Sequence, residues 1–277
     1  PRSMTRLARG CCLLLMALTL AACGAAPKPP PLQAPDAAAV LRHVPADTPY
    51  LVASLADAPP AFRDREVARL GQALQVLITA LIEQAAVAGR QTPFDRLVLS
   101  TAAALDGKLD GPGLDALGVG RHPRFALYGI QGLPALRVRV ADGRALEAVV
   151  DQVLTDAGLN VARGELAGQP YRVVAAGDLP LLYIAFTDRE LVAGILLPPV
   201  RDALLPVLLG QQPPARTLTA PALAALLKAD GISPAGFGWL KPAALLTDGW
   251  PVTRVLAAGA PAGCVEALRE GLGAEVG

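Results

Sequence analysis

Few side chains in this chain are of a type and spacing that could carry chemistry. There are two histidines, His43 and His122, and four cysteines, Cys11, Cys12, Cys23 and Cys264. A serine or cysteine hydrolase needs a nucleophile, a base and a group that orients the base, all within reach. No Gly-x-Ser-x-Gly elbow is present, and both histidines fall in loop-like sequence beside prolines. Neither Cys-x-x-Cys nor His-x-x-x-His occurs, so the pattern predicts no zinc site. The run Asp106-Gly107-Lys108-Leu109-Asp110-Gly111 opens like a calcium loop. However, Lys108 stands where the third-position oxygen ligand belongs and Leu117 where the closing glutamate belongs, so the run reads as a glycine-rich turn. Gly118-Val119-Gly120 lacks the third glycine of a phosphate-binding loop, and no Gly-Lys-Ser/Thr follows it. Paired carboxylates could cleave a glycan, but candidates such as Asp178 and Asp188 fall in predicted hairpin turns. One cluster remains. Arg121, His122 and Arg124, with Arg137 and Arg139, could bind an anionic group of a cell envelope. The residue types therefore predict a non-enzymatic protein with no metal or cofactor.

The strongest signal is an address. From Met4 the chain reads Thr5-Arg6-Leu7-Ala8-Arg9-Gly10, followed by 12 apolar or small residues, Cys11 to Ala22, and then Cys23-Gly24. A positive n-region, an apolar h-region of about 7–15 residues and small residues at the cut define a secretory signal. The apolar stretch is shorter than the roughly 20 residues of a membrane-spanning helix. Leu20-Ala21-Ala22-Cys23-Gly24 resembles the lipobox of bacterial lipoproteins. The resemblance implies cleavage before Cys23, acylation of its thiol and amine, and stable membrane attachment through several acyl chains. In Gram-negative lipoproteins of this type an Asp after the cysteine favours the inner membrane. Gly24 points instead to the outer membrane, facing the periplasm. Pro1-Arg2-Ser3 reads as sequence upstream of the start and is set apart from the fold.

Residues 23–36 read as the lipidated cysteine and a tether. Pro27, Pro29, Pro30, Pro31 and Pro35 fix φ and favour polyproline II. The eleven residues from Ala25 to Pro35, at about 3.1 Å each, give a spacer of roughly 30 Å. With the signal peptide and the acylated residue set aside, Cys264 is left without a partner. The alternatives are a free thiol, an intermolecular bond, or a partner cysteine beyond Gly277.

The remaining length, 37–277, is enough to bury a substantial core. Hydrophobic residues are 53% and charged residues 18%, which excludes a disordered chain. The net charge of +1 and the absence of basic runs predict no nucleic-acid partner. The expected partners are the membrane, through Cys23, and an envelope protein or glycan.

Helices are predicted at 36–41, 65–88, 144–157, 200–209 and 221–229. The second carries Val67, Leu70, Leu74, Leu77, Ile78, Leu81 and Ile82 at three- and four-residue steps. Asp142 is positioned to cap the third and Gly158 to close it. Pro206 should kink or split the fourth. Strands are predicted at 49–55, 96–100, 124–130, 136–140, 160–166, 171–175, 181–186, 191–197 and 237–240. In the fourth of these, Leu136, Val138 and Val140 alternate with Arg137 and Arg139, so the arginines are expected on the solvent face. Short breaks at 167–169, 176–178 and 187–189 imply antiparallel hairpins. The expected class is α+β, a mostly antiparallel sheet with helices packed on one face.

Pro49 to Asp57 also echoes Pro134 to Asp142, each a strand ending in Ala-Asp ahead of a helix. Two duplicated β-α-β-β modules, 37–130 and 131–245, would account for the echo. With Pro45-Ala46-Asp47-Thr48 at its start, the pattern is similar to a family of secreted or lipid-anchored bacterial domains with no assigned activity. That resemblance supplies fold context only. The function expected is a binding or structural role in the cell envelope. The alternative is a carrier holding an apolar ligand between the sheet and the 65–88 helix.

Overall fold

A computed structural model describes residues 35–56, 92–121, 123–175, 181–229, 231–232, 236–246, 250–251 and 253, together with 65, 71–72, 75–76, 79–80 and 82–83. The lipobox at Cys23, the tether up to residue 34, His122, the 176–178 turn with Asp178, and Cys264 lie outside the described residues.

The fold is α+β. Helix α1 (Pro35–Leu41) precedes strand β1 (Tyr50–Ser54); α2 (Pro93–Leu105) and α3 (Gly111–Ala116) precede β2 (Phe125–Ile130) and β3 (Leu133–Arg139). Then follow α4 (Gly143–Asp156), β4 (Asn160–Leu166), β5 (Gln169–Ala175), β6 (Leu181–Thr187) and β7 (Glu190–Leu196). Helices α5 (Arg201–Leu208) and α6 (Ala220–Ala229) and strand β8 (Phe237–Leu240) complete the described elements that matter here. The strands form one antiparallel sheet in the order β4-β5-β6-β7-β3-β2-β1-β8. The two segments 37–130 and 131–245 share this sheet, because β3 pairs with both β2 and β7.

Hairpin chemistry explains the local order. Gln131 and Gly132 between β2 and β3 have φ of 50° and 78°, and Ala167 and Gly168 between β4 and β5 have 49° and 79°. Two consecutive left-handed residues give the type I′ turn, whose twist matches that of the strands it joins.

The alternation along each strand feeds two cores. On one face Leu51, Ala126, Tyr128, Ala135, Tyr183, Val192 and Leu196 pack against Val40 and Leu41 of α1, Leu204, Leu205 and Leu208 of α5, and Leu223 and Leu227 of α6. On the other, Val174, Ile184 and Phe186 pack against Leu146 and Leu154 of α4, with Leu97 of α2 behind them. Helices therefore cover both faces, where the sequence led us to expect one. At Gly194 the first core is tight: a Cβ there would come within 2.6 Å of a Leu208 methyl.

Residues 96–100, expected as a strand, belong instead to α2. The apolar run Leu97-Val98-Leu99 suits either element, and the start signal decides. Thr92 Oγ1 accepts from the Asp95 amide at 3.1 Å and Asp95 Oδ2 accepts from the Thr92 amide at 2.8 Å, with Pro93 in the first turn. This capping box satisfies two amides that the helix itself leaves open. The β-α-β-β order thus appears as β3-α4-β4-β5 in the second half. In the first half the third element is helical. Every described residue between 65 and 83 is helical, as expected, but Ile82, assigned to the apolar face, is 40% exposed.

Helix α4 begins as its sequence predicts. Asp142 Oδ1 accepts from the amides of Arg144 and Ala145, both at 3.0 Å. Asp142→Ala should destabilise the fold by about 1 kcal/mol, within the 0.5–2 kcal/mol range of cap losses. Urea unfolding with an unchanged slope is the measurement, and an unchanged midpoint would contradict it. At the other end Gly158 takes φ +60° and closes the helix. Pro206 lies inside α5, preceded by a 3₁₀ turn at Pro198–Val200.

Candidate functional site

The polar groups with unusual environments gather where β2, β3 and β7 meet the C-terminal end of α5. Arg137 stands in the middle of β3 and is 1% exposed. Its Nη1 donates to Glu190 Oε2 at 2.7 Å, its Nη2 to the Leu208 carbonyl at 2.7 Å, and its Nε to the Tyr128 hydroxyl at 3.2 Å. The fork of guanidinium donors can serve three acceptors in different directions, which a lysine ammonium on a single stem cannot match. Leu208 is the last residue of α5, and its carbonyl is one of those a helix leaves without an internal partner. A cation is favoured there by the helix dipole as well.

His43 closes the cluster from the segment after α1. It is 7% exposed. Its Nε2 accepts from Arg42 Nε at 2.9 Å, so the neutral ring carries its proton on Nδ1, a buried atom with no hydrogen-bond partner among the described residues. Gly210 fits between the two side chains: a Cβ there would lie 2.7 Å from His43 Cε1 and 2.9 Å from Arg137 Nη2, and its φ of +77° is the left-handed form that ends α5. Burial, reinforced by the Arg137 and Arg42 charges, lowers the His43 pKa to about 3. Burial raises that of Tyr128, against the pull of Arg137.

A second network joins the sheet to α4 on the opposite face. Arg172 of β5 donates through Nε to Asp151 Oδ1 at 2.6 Å and through Nη2 to Glu147 Oε1 at 2.6 Å. Glu147 and Asp151 are one helical turn apart and present both carboxylates to one guanidinium. The Arg172 guanidinium also lies 5.5 Å from the centre of the Phe186 ring.

The expected anion site does not assemble as a unit. Arg137 points into the larger core rather than to solvent. The alternation of β3 is real, but both faces of the sheet are covered, so its arginine face is an inner face. Arg121 pairs with Asp115 on the surface. Arg124 donates from Nη1 to the Leu55 carbonyl at 2.7 Å. Arg124 and Arg139 are brought side by side, since the Arg139 amide donates to the Arg124 carbonyl at 2.7 Å. His122 lies outside the described residues. Arginines recur at the ends of elements: Arg96 of α2 donates to the Ala157 carbonyl at the end of α4 at 2.8 Å, as Arg137 does at the end of α5.

Two open grooves mark the surface. One, of about 410 Å³, runs between α2 and α4 past Ser100, Ala104, Lys108, Gln152 and Asp156. The other, of about 370 Å³, lies between β5 and α5 at Tyr171, Arg201 and Asp202. Neither is lined by His43, Tyr128, Arg137 or Glu190. Asp110, the second carboxylate of the calcium-like run, caps α3 by accepting from the Gly113 amide at 2.7 Å. Asp188 sits exposed in the β6–β7 turn. Among the described residues no three His, Cys, Asp or Glu side chains converge as a metal site, and no helix is long and apolar enough to cross a membrane.

Arg137 thus acts as a buried polar lock that joins β2, β3, β7 and α5, with His43 packed beside it from the segment after α1. The pairing of Arg137 with Leu208 spans 71 residues of sequence and that with Glu190 spans 53, which no local pattern reports. The one available signal was negative: Arg137 stands inside the strand, between Leu136 and Val138, rather than at its end. No protein-family model, no curated protein and no solved structure matches this chain.

Proposed function

We propose that this chain is a lipid-anchored envelope protein with a binding or structural role, held on the periplasmic face of the outer membrane. The observation that carries the reading is Leu20-Ala21-Ala22-Cys23-Gly24 at the end of a 12-residue apolar stretch that follows Arg6 and Arg9. The proline-rich residues ahead of α1, 25–34, supply the spacer that holds the folded part clear of the lipid surface. The polar chemistry of the described core supports a non-enzymatic role. Arg137 and Arg172 spend their donors on carbonyls and carboxylates of the fold itself, and His43 is walled in by Gly210 and Arg137.

The test is expression of the full chain in a Gram-negative host fed labelled palmitate. Label should appear on the protein, and the protein should sediment with outer membranes until detergent releases it. Cys23→Ser should abolish the label and reduce the membrane-bound share at least about tenfold, since one residue carries all the acyl chains. Equal labelling and sedimentation of the variant would refute the anchor.

A further inference from the structure

Among the described residues, strand β4 forms one edge of the sheet and pairs only with β5. Asn160, Val161, Ala162, Arg163 and Glu165 are all exposed. Neither Arg163 nor Glu165 has an ion-pair or hydrogen-bond partner among the described residues. An edge of this kind presents a row of open amides and carbonyls.

Which groups face outward follows from the hairpin. The two-residue loop makes Leu166 and Gln169 the closing hydrogen-bonded pair. Hydrogen-bonded and open positions alternate along an antiparallel strand, so the backbones of Val161, Arg163 and Glu165 aim their amides and carbonyls away from β5. Those same residues alternate to one face with Arg172, which lies opposite Arg163 in the register. The edge is therefore a ladder template carrying a cation and an anion two residues apart.

From this arrangement we propose that β4 pairs antiparallel with β4 of a second copy of this chain, on a two-fold axis through Gly164. That register sets Arg163 against Glu165 of the other copy and Glu165 against its Arg163. Both pairs fall at positions where the open backbone groups can bond each other. The register with full overlap, centred on Arg163, would place the two Arg163 side chains face to face, and like charges directly opposite are destabilising. Charge thus selects a single register from those the backbone permits. A symmetric contact closes on itself, which fits a dimer rather than a fibre. At the axis the Tyr171 ring lies over Gly164, where a Cβ would meet it at 2.4 Å. The contact is a short ladder, smaller than the roughly 1,200–2,000 Å² of a stable standard interface, so the dimer is weak in solution. Chains gathered on one membrane surface would meet at a much higher effective concentration.

Sedimentation equilibrium of the full chain in mild detergent, from micromolar to near-millimolar protein, reads the association directly. Wild type should show a monomer–dimer equilibrium that weakens with added salt. Arg163→Glu and Glu165→Arg should each weaken it about tenfold or more, because each turns two attractive pairs into repulsive ones. The double reversal, Arg163→Glu with Glu165→Arg, should restore affinity to within about threefold of wild type, since the pairs re-form with opposite sign. Unchanged circular dichroism in all three variants shows that the fold is retained at these exposed sites. A wild-type monomer at every concentration would overturn the proposal and identify the charges as guards against edge pairing. So would a dimer indifferent to the single reversals, or a double variant no better than the singles.

Discussion

Arg137→Ala should lower the stability of the folded chain by about 3–5 kcal/mol, the cost of removing one partner from a buried ion pair. Three acceptors lose their donor at once: the Glu190 carboxylate, the Leu208 carbonyl and the Tyr128 hydroxyl. An acceptor left buried without a partner bears its full desolvation penalty, and the charged one bears the most. The variant also leaves a void where a fully buried side chain stood. Domains of this kind are stable by only about 5–15 kcal/mol in total, so the loss is a large fraction. Arg137→Lys should recover little, because one ammonium cannot reach three acceptors in a planar fork. Pairing Arg137→Met with Glu190→Gln should recover more than Lys does, since the uncompensated carboxylate is then gone. Urea unfolding of the set reads the order, and an alanine variant within 1 kcal/mol of wild type would show that Arg137 is not a lock.

Stability should also fall in acid through His43. In the folded chain its ring stays neutral until pH drops to about 3, whereas the unfolded ring takes up a proton near its ordinary value of 6.5. Between those values the unfolded chain binds one proton more, so lowering the pH favours unfolding. The slope approaches about 1.4 kcal/mol per pH unit from this group alone. Above pH 6.5 both states hold the neutral ring and the effect vanishes. His43→Leu keeps an apolar side chain of similar bulk and deletes the unpartnered Nδ1 proton donor. Its stability should match wild type within about 1 kcal/mol at pH 8 and exceed it increasingly below pH 6.5. Every other titrating group is common to the two proteins, so the difference between the two pH profiles isolates the histidine. Superimposable profiles would mean that His43 is accessible in the folded chain.

These two expectations could not be formed from the sequence, and the reason differs for each. For Arg137 the period-two alternation was legible and placed Leu136 and Val138 on one face and Arg137 on the other, as the structure has them. What alternation cannot say is which faces are covered. That depends on α5 and α6, which arrive some 65–90 residues later in the chain. For His43 the sequence shows only a histidine before Val44-Pro45. Its environment is made by Gly210 and Arg137, brought there by the sheet and by the end of α5. The α2 helix is a different kind of miss. Leu97-Val98-Leu99 has β character, and the deciding residues, Thr92 and Asp95, lay just upstream as a readable capping box.

The sequence alone determined what rests on local and periodic physics. The strands from β4 to β7 and the short breaks at 167–169 and 187–189 follow from alternation and turn chemistry. Asp142 and Gly158 mark the ends of α4 because caps act within one turn. The membrane address we propose at Cys23 rests likewise on a contiguous signal, independent of any fold. Tertiary structure alone decided the burial of both sheet faces, the partners of Arg124, Arg137 and Arg172, and the placing of Arg163 and Glu165 on a free edge. Each of these depends on which elements become neighbours, and that choice is made by contacts between residues far apart in the chain. A guanidinium is solvated or buried according to that choice, while its sequence neighbourhood stays the same.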